Sequence, residues 1–344
     1  MRSYSRKARR RKGLIAAGAL LLPVIALPPL IRKADHRRGA DPGLLDDAGL
    51  ELEHHNITSL DGTPLHLTVT GGGDKTLFLV HGWTCNESVF RLQQRHFADR
   101  YRVVSLELRG HGGSGLPASL DFHHDRLAED LKAAIDYMAP GPFAVGGFSM
   151  GGFTTLKFHE RFGAEYADRL KGIALIDSSG LDLVEGIVLG NIVRHFYPFP
   201  LSPIMSLLGR PNRFLDGGME FLKDSSFAYV VTRAFAFGKE PSGCYVEHQR
   251  EMSFSTRFST ACLSVKSMLE YHVDHHLPNV DVPVILLVGE RDKLTNVAAN
   301  TGTASLLPEA RVVVFPEAGH DSLMERWPDF NAELEAFLAE AFSG

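Results

Sequence analysis

Gly147-Phe148-Ser149-Met150-Gly151 sets one serine midway between two glycines in the run AVGGFSMGGF. A β-like apolar run precedes it and the helix-like GFTTLKFHERF follows. A serine at a strand-to-helix turn is presented on strained backbone, and small residues two positions to either side let such a turn close. The N-terminus of the following helix favours negative charge developing there. A serine hydroxyl stays a weak nucleophile at neutral pH until a base takes its proton and a third group orients that base. Sixteen histidines give no base by number alone, but His320 follows Gly319 five residues beyond the apolar run ARVVVF. Asp292 lies three residues beyond a second such run, PVILLVG. Glu290 and Asp177 are rival acids, and Asp292 is preferred because it stands past a strand end, where a loop can aim it at His320. The chemistry expected is acyl transfer, with Ser149 as nucleophile, His320 as base and Asp292 as its partner.

Acyl transfer also needs hydrogen-bond donors for the oxyanion. The backbone N–H of Met150, directly after the serine, is one, and the second should come from a loop after an earlier strand. TLFLVHGWT offers Trp83 in that position. His81 beneath this loop reads as a structural hydrogen-bonder, and Cys85 as a small packing residue. YHVDHHLP gathers His272, Asp274, His275 and His276, types that suit a metal, yet it sits where a connector should rejoin the sheet. With no CxxC pair, no metal site is assigned. RGHGGSG (109–115) matches a phosphate-cradling loop in glycine content only and lacks the Gly-Lys-Ser/Thr ending, which argues against nucleotide binding. No cofactor is expected.

To act together, the three residues must end strands at one carboxyl edge of a parallel sheet. The body, residues 50–344, supplies such strands. HLTVT (66–70) and TLFLV (76–80) suggest a hairpin-like start. YRVVSLEL (101–108), PFAVGG, LKGIALIDS (170–178), PVILLVG and ARVVVF follow as strands. Between them DRLAEDLKAAIDYM (125–138) has helical spacing with Asp125 as a possible N-cap, and WPDFNAELEAFLAEAF closes the chain as a helix. Continuous apolar strands separated by helices imply an α/β fold, a mostly parallel sheet with helices on both faces. The alternation stops between Gly180 and roughly Val273. That stretch is too long for a loop and is expected to be a helical lid inserted at about 181–273. It holds nine of the 22 phenylalanines, which either fill its own core or line a substrate pocket.

The N-terminal end is a different object. Residues 1–40 carry a net charge of +10 and the remainder −15. Residues 1–12 are basic, 13–31 are uncharged and mostly apolar, and 32–49 read as a linker. Nineteen such residues would span about 28 Å as a helix, close to the thickness of a bilayer's hydrocarbon. No small-x-small cleavage site follows the run, so an uncleaved membrane anchor is favoured over a signal peptide, with secretion after cleavage as the alternative. The excess of basic residues before the span keeps the N-terminus cytoplasmic and puts the body outside. A basic arm binding nucleic acid would leave the apolar run without a purpose, so no nucleic-acid partner is expected. Three cysteines cannot all pair within one chain; a Cys244–Cys262 disulfide is possible if the body is exported. The sequence assigns no oligomeric state.

Taken together, HGW at 81, LELRGHGGSG at 106, GFSMGG at 147, GERD at 289 and AGH at 318 resemble the α/β-hydrolase superfamily in its lidded, single-domain form. The resemblance covers the body from about residue 50 except the insertion. It implies Ser149, Asp292 and His320 as a catalytic triad in that family's chain order. Glu107 departs from the family's usual Asp, at a structural position. A serine at the turn, where epoxide hydrolases and haloalkane dehalogenases of the superfamily have Asp, argues against those activities. The expectation is an ester hydrolase acting on a hydrophobic or lipid-like small molecule. Thioester, lactone or C–C bond hydrolysis, acyl transfer to another acceptor, and a non-catalytic membrane-tethered binding protein remain as alternatives.

Overall fold

The computed structural model describes residues 28–181 and 201–343. Eight strands form one sheet: β1 (Glu53–Thr58), β2 (Pro64–Thr70), β3 (Thr76–Val80), β4 (Arg102–Glu107), β5 (Phe143–Phe148), β6 (Leu170–Ile176), β7 (Val284–Gly289) and β8 (Ala310–Phe315). Their order across the sheet is β1-β2-β4-β3-β5-β6-β7-β8. From β4 to β8 every neighbouring pair is parallel, and β2 runs antiparallel to both β1 and β4.

Residues 28–35 are helical (α1). The helices that cover the sheet are α2 (Arg91–Phe97), α3 (His124–Met138) and α4 (Met150–Phe162). After an insertion with five α-helices among the described residues come α10 (Val297–Leu306), α11 (Ser322–Glu325) and α12 (Trp327–Ala341). The strands read as unbroken apolar runs because both faces of the sheet are buried. Phe78 and Val80 of β3 enter one core with Leu131 of α3 and Phe153 of α4. Leu77 and Leu79 enter the other with Leu92 of α2 and Leu334 of α12. Each such side chain contributes about 1.5–3 kcal/mol on burial.

Two details of the expected fold are corrected. The runs at 66–70 and 76–80 do not form a hairpin, because β4 lies between β2 and β3. The hairpin joins β1 to β2 instead, around Asp61-Gly62, with Gly62 at φ 86° as a tight hairpin turn requires. The third helix begins one residue early, and its cap is His123, whose ring accepts from the Asp125 N–H.

The insertion between β6 and β7 is helical as expected: α5 (Ser202–Leu208), α6 (Arg213–Lys223), α7 (Ser226–Ala236), α8 (Gly243–Ser255) and α9 (Phe258–Leu269). Asn212 and Ser225 cap α6 and α7 through their side chains, so the polar residues between the apolar stretches start helices rather than loops. The YPFPLSP stretch falls largely outside the described residues.

Residues 32–49, read as a linker, are packed on the lid. Asp35 is 1% exposed and accepts from Tyr229 Oη at 3.0 Å, Arg233 Nε at 2.7 Å and Arg38 Nη1 at 2.7 Å. Arg32 meets Glu247 of α8 at 2.5 Å. Farther on, Leu45 is buried and Arg95 of α2 caps the carbonyls of Leu44 and Ala48. The segment is a strap from α1 across α7 and α8 to the body. Among the described residues no helix is long and apolar enough to cross a membrane; the expected span at 13–31 lies outside them except for its last four residues.

Candidate active site

Ser149 occupies the single residue between β5 and α4, at φ 50° and ψ −116°. For a non-glycine residue this is a strained conformation costing about 1–3 kcal/mol, held by its Ser149 N–H bond to the Ile176 carbonyl at 2.8 Å. The flanking glycines are needed for space. A Cβ on Gly147 would lie 2.4 Å from the Gly151 carbonyl oxygen, and one on Gly151 would lie 1.9 Å from that of Val80. The turn therefore presses α4 onto the end of β3.

His320 follows β8, and its Nε2 lies 2.9 Å from Ser149 Oγ. Its Nδ1 lies 2.8 Å from Asp292 Oδ2 in the loop after β7. The structure thus brings together all three residues that the spacing singled out. Asp292 also accepts from the N–H groups of Leu294 (2.7 Å) and Thr295 (3.0 Å) and from Thr295 Oγ1 (2.8 Å). Burial pushes its carboxyl up, but His320 and these donors outweigh that and hold it below the ordinary range. An ionised Asp292 can only accept, so Nδ1 carries the ring proton and Nε2 is left to accept from Ser149.

The rival acids are occupied elsewhere. Asp177 takes hydrogen bonds from the Gly289 N–H (2.9 Å), the Ser322 N–H (3.0 Å) and Ser322 Oγ (2.6 Å). Burial, and next the charge of Asp292, push it well above the usual carboxylate range. The two neighbouring aspartates are thus pushed in opposite directions, Asp292 down beside the histidine and Asp177 up beneath it. Glu290 accepts from the Glu317 N–H at 3.0 Å.

Trp83 and Met150 flank the serine as the sequence suggested. Met150 is the first residue of α4. The loop after β3 comes so close that a Cβ on Gly82 would lie 3.0 Å from Ser149 Cβ, and the Trp83 indole anchors it to the lid through Nε1 to the Ala261 carbonyl at 2.9 Å. His81 supports this loop from below. Its Nε2 accepts from the Leu108 N–H (3.0 Å), so Nδ1–H donates to the Gly82 carbonyl (2.8 Å); burial lowers its pKa and keeps it neutral. Cys85 is buried, and its thiol is pushed up to about 12, first by burial. It is no nucleophile.

Ser149 and His320 open into a cavity of about 630 Å³. Its walls come from all five lid helices, among them Met205, Met219, Phe235, Phe254 and Val265. Aromatics of the lid thus do line a pocket. Cys262 lies in this wall while the Cys244 sulfur faces the Ala40 carbonyl at 3.7 Å, so the two are free thiols and the possible disulfide is not formed.

Two buried acids beside His320 escaped the sequence reading. Glu325 of α11 accepts from the Gly319 N–H at 2.6 Å and the Gly238 N–H at 3.1 Å, joining the histidine loop to the α7–α8 connection of the lid. Asp321 is fully buried directly after the histidine. Nothing in the run HDSLME distinguishes an inward acid from a surface one; only the third dimension does.

The chain belongs to the α/β hydrolase family, whose model matches residues 77–333. Among its relatives is a pimeloyl-[acyl-carrier protein] methyl ester esterase of Chromobacterium violaceum, 26% identical over 270 residues that cover 78% of this chain and 96% of that protein. An esterase of Thermogutta terrifontis superposes with a TM-score of 0.65 at 23% identity, covering 84% of this chain and 99% of that one. A bacterial membrane phospholipase A covers 100% of both chains with a TM-score of 0.63 at 21% identity. The likeness to these two structures is one of fold.

Proposed function

We propose that the protein is a serine hydrolase that cleaves a carboxylic ester of a hydrophobic, lipid-like substrate through an acyl-enzyme on Ser149. The observation that carries this is the hydrogen-bonded line Ser149–His320–Asp292 opening into an apolar cavity. As Ser149 Oγ attacks the ester carbon, His320 Nε2 takes its proton, and Asp292 steadies the imidazolium that forms. The N–H groups of Trp83 and Met150 receive the oxyanion. The alkoxide leaves with the proton from His320, and a water activated by the same nitrogen then releases the acid. The names of the relatives support ester bonds and acyl substrates, and the apolar cavity supports a hydrocarbon chain in the substrate. Residues 13–31 serve as an anchor that keeps the body at a membrane surface, outside the cytoplasm, where lipid-like esters are concentrated.

A fluorophosphonate probe and a p-nitrophenyl ester series test this. The folded protein should label on Ser149 and turn over the ester, and Ser149→Ala should abolish both. Absence of labelling in folded wild-type protein overturns the reading.

A further inference from the structure

More than half of the large apolar side chains left exposed among the described residues fall between Ile204 and Phe235, on α5, α6 and α7. Phe214 and Phe221 of α6 are 93% and 86% exposed. They stand about two turns apart on one face of the helix, and between them a Cβ on Gly217 or Gly218 would meet nothing within 4 Å. The opposite face of α6 is held, because Asp216 accepts from the Phe258 N–H at 2.9 Å and Met219 lines the cavity. The aromatic face therefore belongs to no core. Asp224-Ser225 joins α6 to α7, where Phe227, Val231 and Phe235 recur every fourth residue as one stripe. Phe227 is exposed, Val231 and Phe235 line the cavity, and Phe235 is itself 59% exposed. The stripe leads from the outer face to the mouth of the cavity that holds Ser149.

Charge and chain path point the same way. Arg210 and Arg213, at the start of α6, are exposed and make no ion pair among the described residues. Acids at its other end are neutralised, Asp224 by Arg250 at 3.3 Å and Glu251 by Lys223 at 3.7 Å. Glu220, the exposed acid of α6, lies to the side of the aromatic face. The apolar run 13–31 enters the fold at α1, which is pinned to this same lid: the Arg32 guanidinium lies over the Tyr229 ring of α7 at 5.5 Å and bonds Glu247 of α8. We propose that the outer face of α6 and the start of α7 inserts into a bilayer leaflet that contains anionic phospholipid. Phe214 and Phe221 enter the acyl chains, Arg210 and Arg213 meet the phosphates, and the ester reaches the cavity from the membrane along the α7 stripe. This rests on the anchored-hydrolase reading above and adds a second contact, made by the lid. A bilayer is the occupant because the apolar run leaves the fold from these helices and the stripe ends in a cavity lined for hydrocarbon.

The test uses the full chain in phosphatidylcholine vesicles with and without phosphatidylglycerol. Phe221→Trp reports insertion, and Tyr137→Trp, exposed on α3 of the body, is the control. Bromine on the lipid acyl chains should quench the Phe221→Trp emission beyond the background of Trp83 and Trp327, more strongly with phosphatidylglycerol, and should spare Tyr137→Trp. No added quenching, equal quenching of the control, or indifference to phosphatidylglycerol overturns the proposal; a second copy of the chain over this face would give the first of these. The double variant Phe214→Ser, Phe221→Ser should hydrolyse 4-methylumbelliferyl palmitate dissolved in the bilayer at least about tenfold more slowly, as the loss of one buried aromatic implies. Its turnover of p-nitrophenyl butyrate in water should match wild type. Unchanged turnover of the bilayer ester, or an equal fall on both esters in folded protein, also overturns the proposal. Should the double variant not fold, the quenching decides. A wild-type chain that washes off the vesicles or fails to label with the fluorophosphonate takes down the anchored-hydrolase reading; one that stays and labels without quenching removes the lid contact alone.

Discussion

Asp177 and Asp292 each end a strand beside His320, and the hydrogen bonds they receive separate their duties. Asp292 faces the imidazole Nδ1 and is held below the ordinary carboxylate range; Asp177 braces Gly289 and Ser322 and is pushed above it. Asp292→Asn is therefore expected to lower kcat about 10⁴-fold, because the amide stabilises the wrong tautomer of the ring. Asp177→Asn turns its amide N–H toward either the Gly289 N–H or the Ser322 donors, whichever oxygen it replaces, and should lower the melting temperature while the folded fraction keeps most of its turnover. Comparable kcat losses in both variants would contradict the assignment. Ser149, Asp292 and His320 were legible because each lies a few residues beyond an apolar run, a spacing that survives folding. Choosing between Asp292 and Asp177 was less secure from spacing, since both follow strands and only their hydrogen-bond partners tell them apart.

Among the elements, the histidine loop and the α7–α8 connection of the lid are one joint. Asp321 N–H bonds the Ala236 carbonyl at 2.9 Å, and Glu325 grips both Gly238 and Gly319. The backbones touch so closely that a Cβ on Gly319 would lie 2.4 Å from the Phe237 carbonyl carbon. Burial pushes Glu325 from 4.5 up to about 7 despite its backbone hydrogen bonds. A raised acid holds a proton in the folded chain that the unfolded chain has lost, so its stabilising contribution is complete below 4.5 and disappears as pH rises through about 7. Across that window wild type should lose about 3 kcal/mol more stability than Glu325→Gln, which has no proton to release. Denaturation midpoints at several pH values check this; parallel profiles for the two proteins would refute it. The parallel strands and the inserted helices were readable from unbroken apolar runs and their interruption. The β1–β2 hairpin was not, because β1 is a largely exposed, histidine-rich edge strand with no apolar pattern, although its Asp61-Gly62 turn carried a signal. The strap was equally hidden, for a single buried Asp35 in a polar stretch looks like any linker residue until Tyr229 and Arg233 are placed around it.

At the scale of the whole molecule, a basic, apolar beginning is tied through the strap to the helices that roof the cavity. The anchor proposed at 13–31 would then be linked to the roof as well as to the body, and the proposal places the cavity close to the bilayer surface. In cells, the full chain should remain with membranes after an alkaline carbonate wash, and protease added outside intact cells should digest the body. Release by the wash, or protection of the body from external protease, would contradict this placement.

The strand and turn that present Ser149 are made before the middle of the chain, whereas the loop bearing His320 lies in its last tenth. A growing or truncated chain therefore displays the serine without its base. The Ser149–His320–Asp292 assembly comes into being only when β7 and β8 have joined the sheet, so a cell that makes this hydrolase is spared its activity in every unfinished copy.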